Sequence, residues 1–323
     1  MFKINIYAEN RGWLFEDLKQ HFKNLKSIDG LKVSVSDRAL PNADVWVALR
    51  TNEASASPDI RRTVVCVHDL LCDDGMYQRY GSRRGVHEAG ALVLCHPEQR
   101  RILIEAGIPL ERTQILERPI GALKLFTPRQ HNPDVFTVGW VGRAHPRKRW
   151  EWFVEAIRQS DHRPEVVLIG SGLGEAARSL HESGVSCCLY DRSEHPISNY
   201  PRLYQGLDCL VITSSTEAGP ITLFEALATG LPVVSTPVGW APYFSGQASR
   251  YVRLAGSPSE IASHLKDFRD EREEMFERRF EIAELVSEWT LESWLRDVVK
   301  LAGALAHDCG RSSGLLTSMD GVE

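Results

Sequence analysis

Short apolar runs alternate with amphipathic stretches along the first 120 residues. Runs at 4–8, 31–35, 45–48, 64–67, 92–95 and 114–116 predict strands. Stretches at 14–22, 83–91 and 97–106 predict helices. Alternation of this kind argues a parallel sheet with helices on both faces. Residues 117–134 are polar and carry Pro119, Pro128 and Pro133, which predicts a linker. The pattern then restarts, with strands at 135–141, 166–169, 187–189, 209–213 and 232–235 and helices at 150–158, 174–183, 197–207 and 220–229. The expected fold class is therefore α/β, with two doubly wound, Rossmann-like domains at 1–125 and 134–287. Residues 258–287 read as a charge-rich helical region in which Phe268, Phe276 and Phe280 mark a buried stripe and the many Arg and Glu a solvated face. From His307 to the end the chain is polar and Gly/Ser-rich, and a disordered tail is expected at 307–323.

Composition narrows the class. A length of 323 residues suits two ordinary domains, and 43% hydrophobic with 25% charged residues is the balance of a soluble globular protein. A net charge of −5 gives no global attraction to nucleic acid or anionic lipid, so nucleic acid is not an expected partner. The opening MFKINIYAEN is too short an apolar run for a signal peptide, and nowhere do 18 apolar residues run together, so a cytoplasmic location is expected. The seven cysteines contain no C-x-x-C, and five or six fall in apolar runs. Reduced core thiols follow, with neither a disulfide framework nor a zinc site.

Candidate chemistry concentrates at 208–239, DCLVITSSTEAGPITLFEALATGLPVVSTPVG. This reads as a β-α-β unit, with Gly219 and Pro220 at the N-cap and first turn of the helix and Gly230 and Pro232 just past its end. Glu217 precedes the helix and Glu225 lies inside it. Eight helical residues rise ~12 Å, so the two carboxylates suit a ligand with a polar group at each end. The helix N-terminus between them favours an anion. A nucleotide-sugar has that layout: hydroxyls, diphosphate, hydroxyls. Elsewhere, Gly142, Arg143 and Lys148 follow the strand at 135–141, where a diphosphate needs fixed positive charge. An exposed basic loop is the plainer reading, and His145 and Arg147 are lesser candidates. His68 and Asp69 follow the strand at 64–67, although a histidine there is most often a satisfied loop residue. Gly170-Ser171-Gly172-Leu173-Gly174 has its third glycine one residue early for a dinucleotide fingerprint and reads as a tight turn.

The segment from Glu217 to Glu225, with the following Ala-Leu-Ala-Thr-Gly-Leu-Pro-Val-Val, resembles the E-x7-E signature of retaining nucleotide-sugar glycosyltransferases of family 4. That resemblance implies the GT-B fold, two Rossmann-like domains facing each other across a cleft. It also implies a nucleoside-diphosphate sugar as donor, with no cofactor and no required metal. Arg143 and Lys148 would grip the donor diphosphate, with Gly142 beside them. Glu225 would hold the ribose hydroxyls, and Glu217 with the Ala218, Gly219, Pro220 and Ile221 backbone would hold the sugar. Asp191 would lie in the loop at the base, and His68 would face the anomeric region. The catalytic set is then His68, Arg143, Lys148 and Glu217. Asn10, Arg11, Gly12 and Asp69 would form the acceptor side, where one glycine stands in place of the usual pair.

Within the same resemblance, 287–294 is similar to the helix that crosses back to close the first domain, over about 288–306. Trp240 departs from the usual glycine-rich turn and either lines the cleft or packs. Arg79, Arg83 and Arg84 form a basic cluster, read as a solvated helix start or as a site for an anionic acceptor or membrane headgroups, with peripheral contact at the inner membrane. Three other functions remain open. A GT-B nucleotide-sugar epimerase would turn over without an acceptor. A catalytically silent nucleotide-sugar-binding protein would bind donor and turn nothing over. A nicotinamide-dependent oxidoreductase would bind NAD and no nucleotide-sugar.

Overall fold

The computed structural model describes residues 1–9, 13–25, 27–28, 30–68, 82–111 and 113–317. The chain forms two units, Met1–Pro119 together with the chain from Glu292 onward, and Ile120–Leu291.

In the first unit the strands are β1 (Lys3–Tyr7), β2 (Ser27–Ile28), β3 (Leu31–Ser36), β4 (Val45–Ala48), β5 (Thr63–Val67), β6 (Ala91–Leu94) and β7 (Gln114–Glu117). They lie in the order β2-β3-β1-β4-β5-β6-β7, and only β2 runs antiparallel to its neighbour. VWVA, TVVCV and ALVL are buried at every position, as strands covered on both faces must be. Helices α1 (Trp13–Asn24), α2 (Ser82–Glu88) and α3 (Pro97–Glu105) belong to the same unit. His96 accepts from the Glu98 N–H and Gln99 reaches back to the His96 N–H, a capping box that fixes where α3 begins. Gln99 also donates to the Val67 carbonyl at the end of β5 (3.0 Å), so the cap fastens α3 to the sheet.

The second unit holds β8 (Thr137–Arg143), β9 (Glu165–Ser171), β10 (Cys187–Asp191), β11 (Cys209–Ile212), β12 (Val233–Ser235) and β13 (Val252–Leu254). Its helices are α4 (Trp150–Gln159), α5 (Gly174–Glu182), α6 (Tyr200–Gln205), α7 (Ile221–Ala228), α8 (Ala241–Ala248), α9 (Pro258–Asp270), α10 (Arg272–Glu277) and α11 (Arg279–Glu284). All six strands are parallel, in the order β10-β9-β8-β11-β12-β13. The order reverses between β8 and β11, where Cys209 pairs with Val138 and Val211 with Trp140. The connections from these two strands leave in opposite directions, and ligands of open α/β sheets bind in the crevice that this creates.

The last helix, α12 (Leu291–Thr317), packs on the first unit from Glu292 onward. Trp294 is fully buried, 6.0 Å from the ring of Phe22 and 6.3 Å from that of His68. Arg118 pairs with Asp297 (2.6 Å) and donates to Ser293 (2.8 Å).

Several expectations need correction. The tail expected from His307 is helical to Thr317, because the buried face of α12 runs on through Ala302, Leu305 and Ala306 and His307 packs edge-on to Phe2 (4.7 Å). The stretch expected as a linker is mostly packed onto the second unit. Phe126 is buried edge-on to Tyr204 (5.1 Å), and Arg129 is fully buried against Asp208 (3.0 Å). The phenylalanine stripe breaks up: Phe268 is buried, but Phe280 is 57% exposed. The region is three helices joined at Glu271 and Arg278, so the helical phase resets twice and Met275 and Ile282 take the inward positions. Finally, among the described residues only Cys66, Cys95 and Cys209 are core thiols and Cys188 is exposed on the edge strand β10, while Cys72 lies outside the described residues.

Asp208 joins three elements. It accepts from Arg129, from Arg272 (3.0 Å) and from the Thr137 N–H at the start of β8 (2.8 Å). Replacing Asp208 with alanine leaves a fully buried guanidinium without its counter-ion. We expect Asp208→Ala to lose about 3–5 kcal/mol of stability, read from the urea midpoint.

Candidate functional site

The site grows from the two strands that flank the reversal. After β8 the chain passes Arg143 and enters a 3-10 turn, Pro146–Lys148, capped by His145, whose Nδ1 accepts from the Arg147 N–H (3.3 Å). After β11 it passes Thr213 and Ser214 and runs through Glu217 into α7. Hydrogen bonds stitch the two loops together. The Ser215 N–H donates to the Arg147 carbonyl (2.8 Å), and the Thr213 hydroxyl donates to the Lys148 carbonyl (2.7 Å). The Trp140 indole, from within β8, donates in turn to Thr213 Oγ1 (2.9 Å). Across this seam Lys148 Nζ ion-pairs with Glu217 Oε1, which also accepts from Ser214 Oγ (2.7 Å). The lysine side chain is 23% exposed and the glutamate 11%, so the pair is mostly buried yet keeps some access to solvent. Arg143, by contrast, is exposed and has no ion-pair partner among the described residues.

Helix α7 begins at Ile221, with Pro220 as the N-cap and no side chain capping it. This shifts the expected start by one residue, because Pro220 keeps an extended backbone (φ −67°, ψ 108°) and so precedes the first turn. The uncapped N-terminus leaves backbone N–H groups beside Glu217. The loop from Glu217 to Pro220 is held from behind by Gly239, at φ +50°. A Cβ there would lie 2.7 Å from Pro220 Cδ and 3.4 Å from the Glu217 carbonyl oxygen. The neighbouring Trp240 packs: it is buried, edge-on to Trp289 (4.7 Å) and Tyr243 (5.4 Å).

Glu225 sits inside α7 and is 9% exposed. Its Oε2 accepts from the Tyr204 hydroxyl of α6 (2.7 Å). Burial raises the Glu225 carboxyl from 4.5 to about 7, against the opposing pull of the tyrosine hydrogen bond. The folded chain therefore keeps a proton that the unfolded chain releases near 4.5. The associated stability is complete below that pH and is lost as pH rises through about 7. The difference amounts to roughly 3 kcal/mol. Denaturation between about pH 5 and pH 8 should show this decline in the wild type and lack it in Glu225→Gln.

The remaining edge of the site lies where β9 and β10 end. Gly170 (φ +147°) allows a close approach, since a Cβ there would fall 1.7 Å from the Gly142 carbonyl oxygen. Gly172 (φ +74°) faces Ala144. The Arg192 N–H donates to the Gly170 carbonyl (2.9 Å). Asp191 accepts at Oδ1 from the Ser193 hydroxyl (2.7 Å) and N–H (2.9 Å), bonds that hold its carboxyl below the ordinary range. Its side chain thus shapes its own turn.

Of the expected site residues, Gly142, Arg143, Lys148, Asp191, Glu217, Ala218, Gly219, Pro220, Ile221 and Glu225 all belong to the second unit, on strand-end loops and on α7. His68 belongs to the first unit at the end of β5, half-buried, with Nδ1 3.3 Å from Cys95 Sγ. Asn10, Arg11, Gly12, Asp69 and Arg79 lie outside the described residues. Arg83 and Arg84 lie on α2, with their side chains outside what is described. Among the described residues no helix is long and apolar enough to cross a membrane, and no three His, Cys, Asp or Glu side chains group to hold a metal ion. Two residues of the site escape sequence reasoning. Tyr204 and Arg149 act through partners 21 and 64 residues away, and no local spacing signals either.

Two doubly wound units, one with a cation and a carboxylate paired at its reversal point, are the architecture of the GT-B fold. Residues 135–270 match the family described as glycosyl transferases group 1. The chain is 29% identical over 241 residues to the D-inositol 3-phosphate glycosyltransferase of Paenarthrobacter aurescens, and 27% identical over 201 residues to that of Corynebacterium aurimucosum. These matches take in 66% and 54% of this chain but only 59% and 48% of the relatives' own lengths. Among solved structures, the Anabaena protein HepE in complex with UDP-glucose superposes with a TM-score of 0.69 at 16% identity, covering 96% of this chain and all of its own. These likenesses place a group 1 glycosyl transferase match within the second unit and a GT-B likeness across the chain.

Proposed function

We propose that the protein is a retaining glycosyltransferase that moves a sugar from a nucleoside-diphosphate sugar to an acceptor hydroxyl, without a required metal. The observation that carries this reading is the Lys148–Glu217 pair at the strand-order reversal, followed eight residues later by the buried Glu225. In this reading Glu225 accepts from the ribose hydroxyls, Glu217 and the backbone of 218–221 hold the sugar, and Lys148 and Arg143 face the diphosphate between them. As the bond to the leaving diphosphate breaks, negative charge grows on its oxygens. Fixed cations and the open N-terminus of α7 stabilise that charge more than they stabilise bound substrate, which lowers the barrier. Two cations and a helix end supply positive charge at the diphosphate, which supports chemistry without a metal. His68 is assigned to the anomeric region, Asp191 to the loop at the base, and Asn10, Arg11, Gly12 and Asp69 to the acceptor side. The retaining outcome rests on the E-x7-E resemblance.

HepE is described with UDP-glucose, so UDP-sugars are the first donors to try. The deciding experiment is thermal stabilisation by UDP-, GDP-, ADP- and dTDP-sugars, repeated with Glu225→Ala and Lys148→Ala. The reading expects one base to stabilise the wild type and the variants to lose most of that shift. If no nucleotide-sugar stabilises the wild type, or the variants respond equally, the assignment fails. Release of free nucleotide only when an acceptor is added separates transfer from epimerisation.

A further inference from the structure

We propose that Arg149 is a positioning residue which sets the distance between Lys148 and Glu217, and so holds the diphosphate and sugar contacts in register. The proposal rests on the site reading just given for those two residues. Arg149 is the only non-glycine with positive φ among the described residues (φ 48°, ψ 51°). L-residues avoid that region, and such strain persists only where surrounding contacts enforce it. Here the contacts are visible. Arg149 closes the 3-10 turn, its N–H donating to the Pro146 carbonyl (3.2 Å), and it opens α4 without capping it by side chain. The side chain reaches back over the reversal of the sheet instead. Nε donates to the Thr213 carbonyl (2.8 Å) and an Nη to the Ser214 carbonyl (2.9 Å), while the guanidinium lies 3.9 Å over the Trp152 ring.

The two residues so gripped are the ones that orient the pair. The Thr213 hydroxyl bonds the Lys148 carbonyl, and the Ser214 hydroxyl bonds the Glu217 carboxylate. One planar fork therefore fixes the backbone behind the lysine and the hydroxyl beside the glutamate. Three basic residues stand in a row at 147–149, but the Arg149 guanidinium is committed to carbonyls and to an aromatic face. It is a brace for Lys148 rather than a second cation for the ligand. A lysine at 149 keeps the charge but lacks the fork that spans two carbonyls.

The test is a double-mutant cycle on the full chain, read as the dissociation constant of the nucleotide-glucose that best stabilises the wild type, UDP-glucose being tried first. Arg149→Gly relieves the backbone and removes the brace, Arg149→Lys keeps the charge, and each is made with Lys148 present and with Lys148→Ala. We expect each to weaken donor binding at least about fivefold when Lys148 is present and by less than about twofold when it is absent, because what the brace sets is the spacing of Lys148 from Glu217, which has no counterpart once the lysine is gone. A general loosening of the unit would weaken binding equally in both backgrounds, and that result overturns the proposal. So does wild-type binding by Arg149→Gly. If Lys148→Ala itself binds donor normally, the site reading fails as well. If it binds weakly while Arg149→Gly does not, the brace alone is refuted.

Discussion

Lys148→Ala is expected to weaken donor binding at least tenfold and to lower turnover by about 100- to 1,000-fold. A charge-assisted hydrogen bond is worth roughly 1.5–3 kcal/mol, and 1.4 kcal/mol is a factor of ten, which sets the binding estimate. The larger effect on turnover follows from where the charge appears. On the proposed reading the diphosphate gains negative charge as it leaves, so a cation beside it matters more in the transition state than in the bound complex. A second consequence adds to the loss. Without Lys148, Glu217 has only the Ser214 hydroxyl at its Oε1 and stands as an uncompensated anion near another anion. Titration calorimetry for binding and single-turnover rates for chemistry separate the two effects. A variant whose binding falls but whose single-turnover rate holds would assign Lys148 to ground-state binding alone.

On the proposed reading Glu225 accepts from the ribose hydroxyls, so Glu225→Ala is expected to cost about 10- to 100-fold in donor affinity. Its signature is the pH dependence. Burial keeps the free carboxyl protonated up to about 7, and one of its oxygens is already taken by Tyr204. Hydroxyls that donate to the carboxylate favour the ionised form, so donor binding releases a proton. Wild-type affinity should then fall as pH drops below about 7, by up to about tenfold per pH unit, and hold steady above it. Glu225→Gln, which cannot ionise, should bind weakly with a flat profile. A sloping profile in Glu225→Gln would move the titration to another group.

Most of the strands were legible because they are short, largely apolar runs between turns. Val45–Ala48 and the heart of β8 and β9 read directly from the residues. Glu217, Glu225 and the loop from Gly142 to Lys148 were legible because their spacing is local. What stayed hidden depends on contacts distant in sequence. Nothing around Tyr204 marks it as the partner of a carboxylate, and a Lys-Arg-Trp run contains no glycine to announce a left-handed turn. The polar, proline-bearing stretch misled for a related reason. Its polarity includes Arg129, whose burial is made tolerable by Asp208 far along the chain. Short helices such as α8, and the strand β13 after it, lack enough periodic residues to stand out.

The packing of that stretch also says how the chain is threaded. The second unit enters at Ile120 and leaves at Leu291, and these ends are laced side by side: Ala122 bridges Thr290 in parallel, the Leu291 N–H donates to the Ala122 carbonyl (2.9 Å), and Gly121 lies so close to the Trp289 carbonyl that a Cβ would meet it at 1.9 Å. In topological terms the second unit is an insertion with a zipped neck, spliced into a first unit whose sequence resumes at Glu292. The natural excision points are therefore 120 and 291. A fragment started at 135, where the family match begins, would strip Phe126 from Tyr204 and Arg129 from Asp208, and with Phe126 would go the packing behind the hydroxyl that holds Glu225.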